Sequence, residues 1–133
     1  MADLNVNNFP IQKGPAITLF GGAISASVTE ANSTAVEMVG FTGGSLDVTV
    51  NSGSGQFSIA VYSSETGTEP YHLMYTGPIS QSTPVLYPDI ILPIVASTPN
   101  SVEISGIRSK WIKFVPTLSG TCNATFVFTP CVI

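Results

Sequence analysis

Roughly every ten residues this chain meets a Gly, Pro or Asn, and between those breaks apolar and polar side chains alternate. A period of two belongs to strands, because successive side chains point to opposite faces. In SLDVTV, Leu46, Val48 and Val50 share one face, with Asp47 and Thr49 on the other. In QFSIAVYS, Phe57, Ile59 and Val61 oppose Ser58, Ala60 and Tyr62. The NSGSG between them reads as a hairpin-type loop. KWIKFVP and TCNATFVFT flank TLSG, read as a turn, and ITLF and AISASVT flank Gly21-Gly22. AVEMVGF, YHLMYT and SVEIS add further strands, and YPDIILPIVASTP reads as a long connection with a short strand near Ile90–Leu92. No window carries a helical stripe. TEANSTAVEM comes nearest, and its β-branched residues oppose a helix. Eight or nine short strands predict an all-β chain: an antiparallel β-sandwich, jelly-roll-like. Residues 1–15 read as an extended N-terminal arm, polar and bounded by Pro10 and Pro15, with Phe9 and Ile11 as its apolar contact candidates. Residues 16–133 read as one sandwich domain without internal repeats.

Apolar residues make up 44% of the chain, enough for a core, but charged residues only 9%, against about 25% in an average soluble domain. Ser, Thr, Gly, Asn and Pro take their place. Such a surface repels copies of itself weakly and suits ordered arrays; ordinary Ser/Thr-rich secreted β-domains share it. Net charge is −4 with four Lys and Arg, too few cations for a phosphate-tracking surface. Arg108, Lys110 and Lys113 gather around Trp111. The trio reads first as the solvated face of a strand, and otherwise as a small patch for a partner or nucleic acid. The start of the chain has no basic segment followed by an apolar one, and no apolar run reaches the roughly 18 residues of a membrane span. The expectation is synthesis in a cytoplasm and no membrane partner.

Cys122 and Cys131 are the two cysteines. On an extended strand they stand roughly 25–30 Å apart, beyond the about 7 Å between Cα atoms that a disulfide bridges. The same separation opposes a shared metal. Two free buried thiols are expected, with a bond between copies through Cys131 as the alternative. Cys122, Ala124, Phe126 and Phe128 should share the core face.

Enzyme chemistry finds little support. The one histidine, His72, sits in YHLMY and reads as a half-buried neighbour of Tyr71 and Tyr75. No nucleophile elbow or phosphate loop occurs. Glu65 and Glu69 flank Gly67 in SSETGTEP and read as a solvated loop, or as two oxygen donors for Ca²⁺. Trp111, Tyr62, Tyr71, Tyr75 and Tyr87 are the aromatics a sugar-binding face would need, although sandwiches usually pack such rings. Asn32 and Asn123 match the glycosylation sequon. No catalytic residue, cofactor or metal is expected.

The run GGSLDVTVNSGSGQFSIAVYSSETGTEPYHLMYTGPI, with the later KWIKFVPTLSGTCNATFVF, resembles small virion structural proteins of tailed bacteriophages. The resemblance covers residues 40 to 128. It implies a capsid decoration (cement) protein that binds the shell as an oligomer, often a trimer, with the major capsid protein or another virion protein as partner and no direct nucleic-acid contact. It brings no catalytic residues with it. The same texture is similar to subunits of bacterial filaments such as spore appendages, where an N-terminal arm passes to the next copy and cysteines crosslink the stack; residues 1 to 15 here hold no cysteine. A carbohydrate-binding module is the third reading. The candidate contact residues are Phe9, Ile11, Arg108, Lys110, Trp111, Lys113 and Cys131.

Overall fold

The structure is a computed structural model that describes residues 13–76, 85–86, 90–95 and 98–132. It is mostly β, with no α-helix among the described residues. Nine strands occur in chain order: β1 (Ile17–Thr18), β2 (Val36–Glu37), β3 (Gly43–Ser64), β4 (His72–Leu73), β5 (Tyr75–Thr76), β6 (Val85–Leu86), β7 (Ile90–Val95), β8 (Thr98–Ile104) and β9 (Trp111–Cys131). Seven of them form one open antiparallel sheet, and β5 pairs with β6 separately.

Two strands dominate. β3 has 22 residues and β9 has 21, and they pair along their whole length from Gly43↔Cys131 to Ser64↔Trp111. β8, β7 and β4 line the far edge of β3 in succession. β1 and β2 line the far edge of β9. Both expected turns therefore fail. NSGSG is not a hairpin but the middle of β3, and TLSG is the middle of β9. The two segments pair with each other, Gly53 with Cys122 and Gly55 with Gly120.

The glycines explain why these segments do not pass as straight strand. Gly53, Gly55 and Gly120 have φ of 120°, 119° and 115°, a region closed to most side chains. A Cβ on Gly55 would run into the Ser119 carbonyl, and one on Gly120 into the Ser54 carbonyl. One residue earlier the ladder slips between Val50 and Ser52. Asn51 is the extra residue of a β-bulge, which bends and twists a strand. It also flips side-chain parity. Leu46, Val48 and Val50 face the core before it, and Phe57, Ile59 and Val61 after it.

The bend brings the ends of the ribbon together. The Met38 N–H donates to the Lys110 carbonyl at 2.6 Å, and the Thr42 N–H to the Cys131 carbonyl at 3.1 Å. Those carbonyls sit at opposite ends of β9, which would be roughly 65 Å apart on a straight strand. The chain from Met38 to Thr42 spans at most about 14 Å. Ring contacts agree: Phe114 meets Phe128 at 4.9 Å, and Phe57 meets Phe126 edge-on at 5.1 Å. Both halves of the ribbon thus share one core, filled by Leu46, Val48, Phe57, Ile59, Ile112, Phe114, Phe126 and Phe128, all essentially inaccessible.

Other expectations fare unevenly. ITLF forms only the two residues of β1 before a 3-10 turn at Leu19–Gly21, and AISASVT supplies a single bridge, Ile24 to Ala124. YHLMYT splits between β4 and β5, which belong to different sheets. The strand expected near Ile90–Leu92 is present as β7. Of the arm, residues 1–12, with Phe9 and Ile11, lie outside the described residues. Lys13 and Gly14 join the sheet: Lys13 bridges Cys131, and the Gly14 N–H donates to the Pro130 carbonyl at 2.8 Å.

The seam gives a direct test. Gly55→Ala should cost about 3 kcal/mol or more, since backbone must move and φ stays positive. Gly106→Ala, with φ 74° but open space around it, should cost only about 1 kcal/mol. Urea denaturation monitored by Trp111 fluorescence would reveal equal costs if the seam were ordinary loop.

Candidate functional site

The sequence placed Lys113 on a solvated basic face, and the structure corrects this. Lys113 lies on β9 between Ile112 and Phe114, and all three are buried. Ile112 and Phe114 point into the main core. Lys113 points to the other face, where two crossing segments cover it. One is the 3-10 turn Glu30–Asn32, and the other is the loop from Glu65 to Tyr71 that follows β3.

Each segment delivers a carboxylate. The Lys113 ammonium donates to Glu30 Oε2 at 2.8 Å, to Glu69 Oε2 at 2.8 Å and to the Glu30 carbonyl at 3.0 Å. Its three N–H donors are thereby used. The ammonium also lies 4.4 Å from the centre of the Tyr71 ring, a cation–π arrangement. With only 5% of Lys113 exposed, an unpaired charge there would be very costly, so the partners are obligatory. Burial pushes the Lys113 ammonium towards deprotonation, but the bonds from Glu30 and Glu69 outweigh it and the net shift is upward from 10.5. The bond from Lys113 holds the Glu69 carboxyl below its ordinary 4.5. Burial raises the Tyr71 phenol, whose hydroxyl is buried and has no hydrogen-bond partner among the described residues.

The loop is also organised within itself. The Ser64 hydroxyl accepts from the Thr66 and Gly67 N–H groups, both at 3.2 Å, and donates to the Thr68 carbonyl. Trp111 is half-buried and its indole lies against Gly67, where a Cβ would collide with it. Glu65 accepts the Lys110 N–H at 3.4 Å. The two acids of this loop are thus turned to different tasks, and among the described residues no three His, Cys, Asp or Glu side chains gather as a metal site.

The remaining candidates scatter. Arg108 and Lys110 are exposed on the loop between β8 and β9. Of the expected basic trio, these two remain at the surface, on the loop that leads into Trp111. His72 is exposed on β4 rather than half-buried. Tyr62 is half-buried and opposes Lys113 across the ladder. The side chain of Tyr75, and all of Tyr87, lie outside the described residues. Asn32 and Asn123 are exposed, and Asn123 accepts a bond from Asn51 at 2.9 Å.

The cysteines behave as expected from spacing. Both are free and buried. Burial raises the Cys122 thiol, so it stays protonated and unreactive, and it donates to the Ile24 carbonyl at 3.5 Å. Cys131 pairs with Gly43 in the ladder, at the end that Lys13 and Thr42 close.

Compared with known proteins, the chain matches no family model, no curated protein and no solved structure.

Two substitutions separate the roles in the cluster. Tyr71→Phe keeps the ring under Lys113 and removes the orphan hydroxyl, so it should leave stability unchanged or raise it by about 1 kcal/mol. Glu30→Gln should destabilise by about 2 kcal/mol, because it leaves a buried cation short of a partner. Thermal melts of both variants at neutral pH check the pair; a marked loss in Tyr71→Phe would mean the hydroxyl has a partner in solution. The signs of the two shifts also define a pH window. Glu69 contributes above its ordinary 4.5 and loses that contribution as pH falls through its lower folded value. Lys113 contributes below 10.5 and loses it as pH rises through its higher folded value. The cluster should therefore be intact across the whole range between, and Glu69 and Lys113 should add no pH dependence to melting temperatures there.

Proposed function

We propose that the chain is a non-enzymatic structural subunit of a virion, of the capsid decoration type. On this reading it is a jelly-roll-like β-sandwich that oligomerises, as a trimer, and clips onto the major capsid protein. The folded-over ribbon supports the sandwich: residues from its two halves, such as Phe114 and Phe128, meet across one core.

The observation that carries the functional reading is where apolar surface is left uncovered. Leu73 and Ile91 are 41% and 52% exposed. Their ladder partners are Tyr62 and Ser58, two positions of equal parity on β3, so both project from the same outer face. Ala60 lies between them on that face, half-buried. Apolar side chains exposed on a sheet face favour contact with another protein. Two groups with reactive chemistry are meanwhile committed to structure: Lys113 is tied as a cation and Cys122 is held as a thiol.

The two other readings lose support on particular residues. A filament crosslinked through Cys131 needs that thiol outside, and it is buried in the ladder. A sugar platform needs free ring faces, and Trp111 and Tyr71 pack against Gly67 and Lys113.

Light scattering and negative-stain microscopy test the proposal, with and without reductant. Small discrete oligomers indifferent to reductant are expected, and Leu73→Asp/Ile91→Asp should be monomeric yet folded. Deleting residues 1–12 should weaken capsid attachment and leave the fold intact. Long fibres that dissolve on reduction would overturn the decoration reading.

A further inference from the structure

We infer that Lys113 is the bolt of an acid-released strap, the segment from Ser64 to Met74 that lies over the outer face of β9. The strap's other fastenings are Trp111 against Gly67, the Lys110 N–H on Glu65, the Met74 side chain in the core and a short ladder. Its loop carries Thr66, Thr68, Glu69 and Pro70 in solvent. β4 contributes only two rungs, Tyr62↔Leu73 and Ser63↔His72, followed by a bond from the Met74 N–H to the Val61 carbonyl at 3.0 Å. Against this, Lys113 reaches the strap through Glu69 and Tyr71 and the neighbouring turn through Glu30, with its own ammonium sealed from water.

Among the described residues, every charged group facing the ammonium is a carboxylate. Glu30 comes from the 3-10 turn and Glu69 from the strap. From β3 the facing side chain is Tyr62, and along β9 the same-face neighbours are Trp111 and Val115, none of them a carboxylate or an amine. Tyr71 stays neutral because its phenol is raised. Glu65, on the same loop, faces the Lys110 N–H instead. Protonating Glu30 and Glu69 therefore leaves a positive charge in a dry site with the Glu30 carbonyl and one ring for company. A buried cation that has lost its counter-ions escapes by hydration, and the way to hydrate Lys113 is to lift the strap. Lifting it removes β4 from β3 and frees the backbone edge at Val61–Ser63 for another strand. Because Glu69 is held below 4.5, release needs clear acidity.

Amide hydrogen exchange from pH 7 down to pH 3, corrected for intrinsic rates, tests this on the full chain. Protection at Met74, whose N–H is held by the Val61 carbonyl, should fall by at least about 100-fold, while Val48 and Phe126 in the ribbon keep theirs. Lys113→Met has no cation to strand, so its strap should show no acid step. Glu30→Gln/Glu69→Gln should show the opened strap already at pH 7. The proposal is overturned if the wild-type strap ignores acid, if strap and ribbon lose protection together, or if Lys113→Met retains the step. Should Lys113→Met not fold, the double Gln variant decides alone: a closed strap at pH 7 sinks the idea.

Discussion

The fold hangs on a bend that only residues without side chains permit. At one level of the sheet, β3 and β9 meet through Gly53, Gly55 and Gly120, each at a φ near +120°. Their backbones approach where any Cβ would strike a carbonyl. The bulge at Asn51 adds twist at the same level and turns the second half of β3 over. Straight strands of this length would leave one face of the sheet wet. Bent, the same strands supply both walls of a core, and the Met38–Thr42 crossing ties the two ends. Hydrophobic burial does the stabilising, but the glycines decide which residues can be buried against which.

That division also explains what could be read beforehand. Alternation is local, so Leu46, Val48 and Val50, or Cys122, Ala124, Phe126 and Phe128, could be assigned to the core face from the residues alone, and they are buried. A glycine-rich stretch is ambiguous, because a hairpin and a bend both need positive φ. One signal in β9 discriminates. Ile112, Phe114, Pro116, Leu118, Cys122, Ala124, Phe126 and Phe128 keep one parity straight through TLSG, as a single continuous strand must. In β3 the parity changes at the bulge, and there the pattern fits either reading. The Lys113 cluster left no local trace. Its partners lie 83 and 44 residues away in sequence, and a lysine on the polar parity of an amphipathic strand reads as solvated until the segments above it are placed.

Burying Lys113 is an unusual use of a scarce residue. The chain has four basic residues, and one is withdrawn from the surface to fasten two loops. A hydrophobic residue would hold them as well or better by energy alone, since buried ion pairs commonly break even against apolar substitutes. What the ion cluster adds is geometry. An ammonium with three donors, two carboxylates and a ring fixes where the 3-10 turn and the strap cross β9. It also makes the hold conditional on charge, which apolar packing is not.

The withdrawal sharpens the argument for association. With Lys113 inside, the described surface carries Lys13, Arg108 and Lys110 as its cations. Long-range repulsion between copies is therefore weak, and the apolar pair adds short-range attraction. Exposed edge strands usually carry lysine or distortion to keep neighbours off. β7, Ile90–Val95, has no charged residue, only Pro93. An exposed apolar pair beside an uncharged strand supports the proposed role as a subunit. In such a subunit, acid release of the strap would withdraw Leu73 from the contact face and bare a pairing edge at Val61–Ser63 in its place.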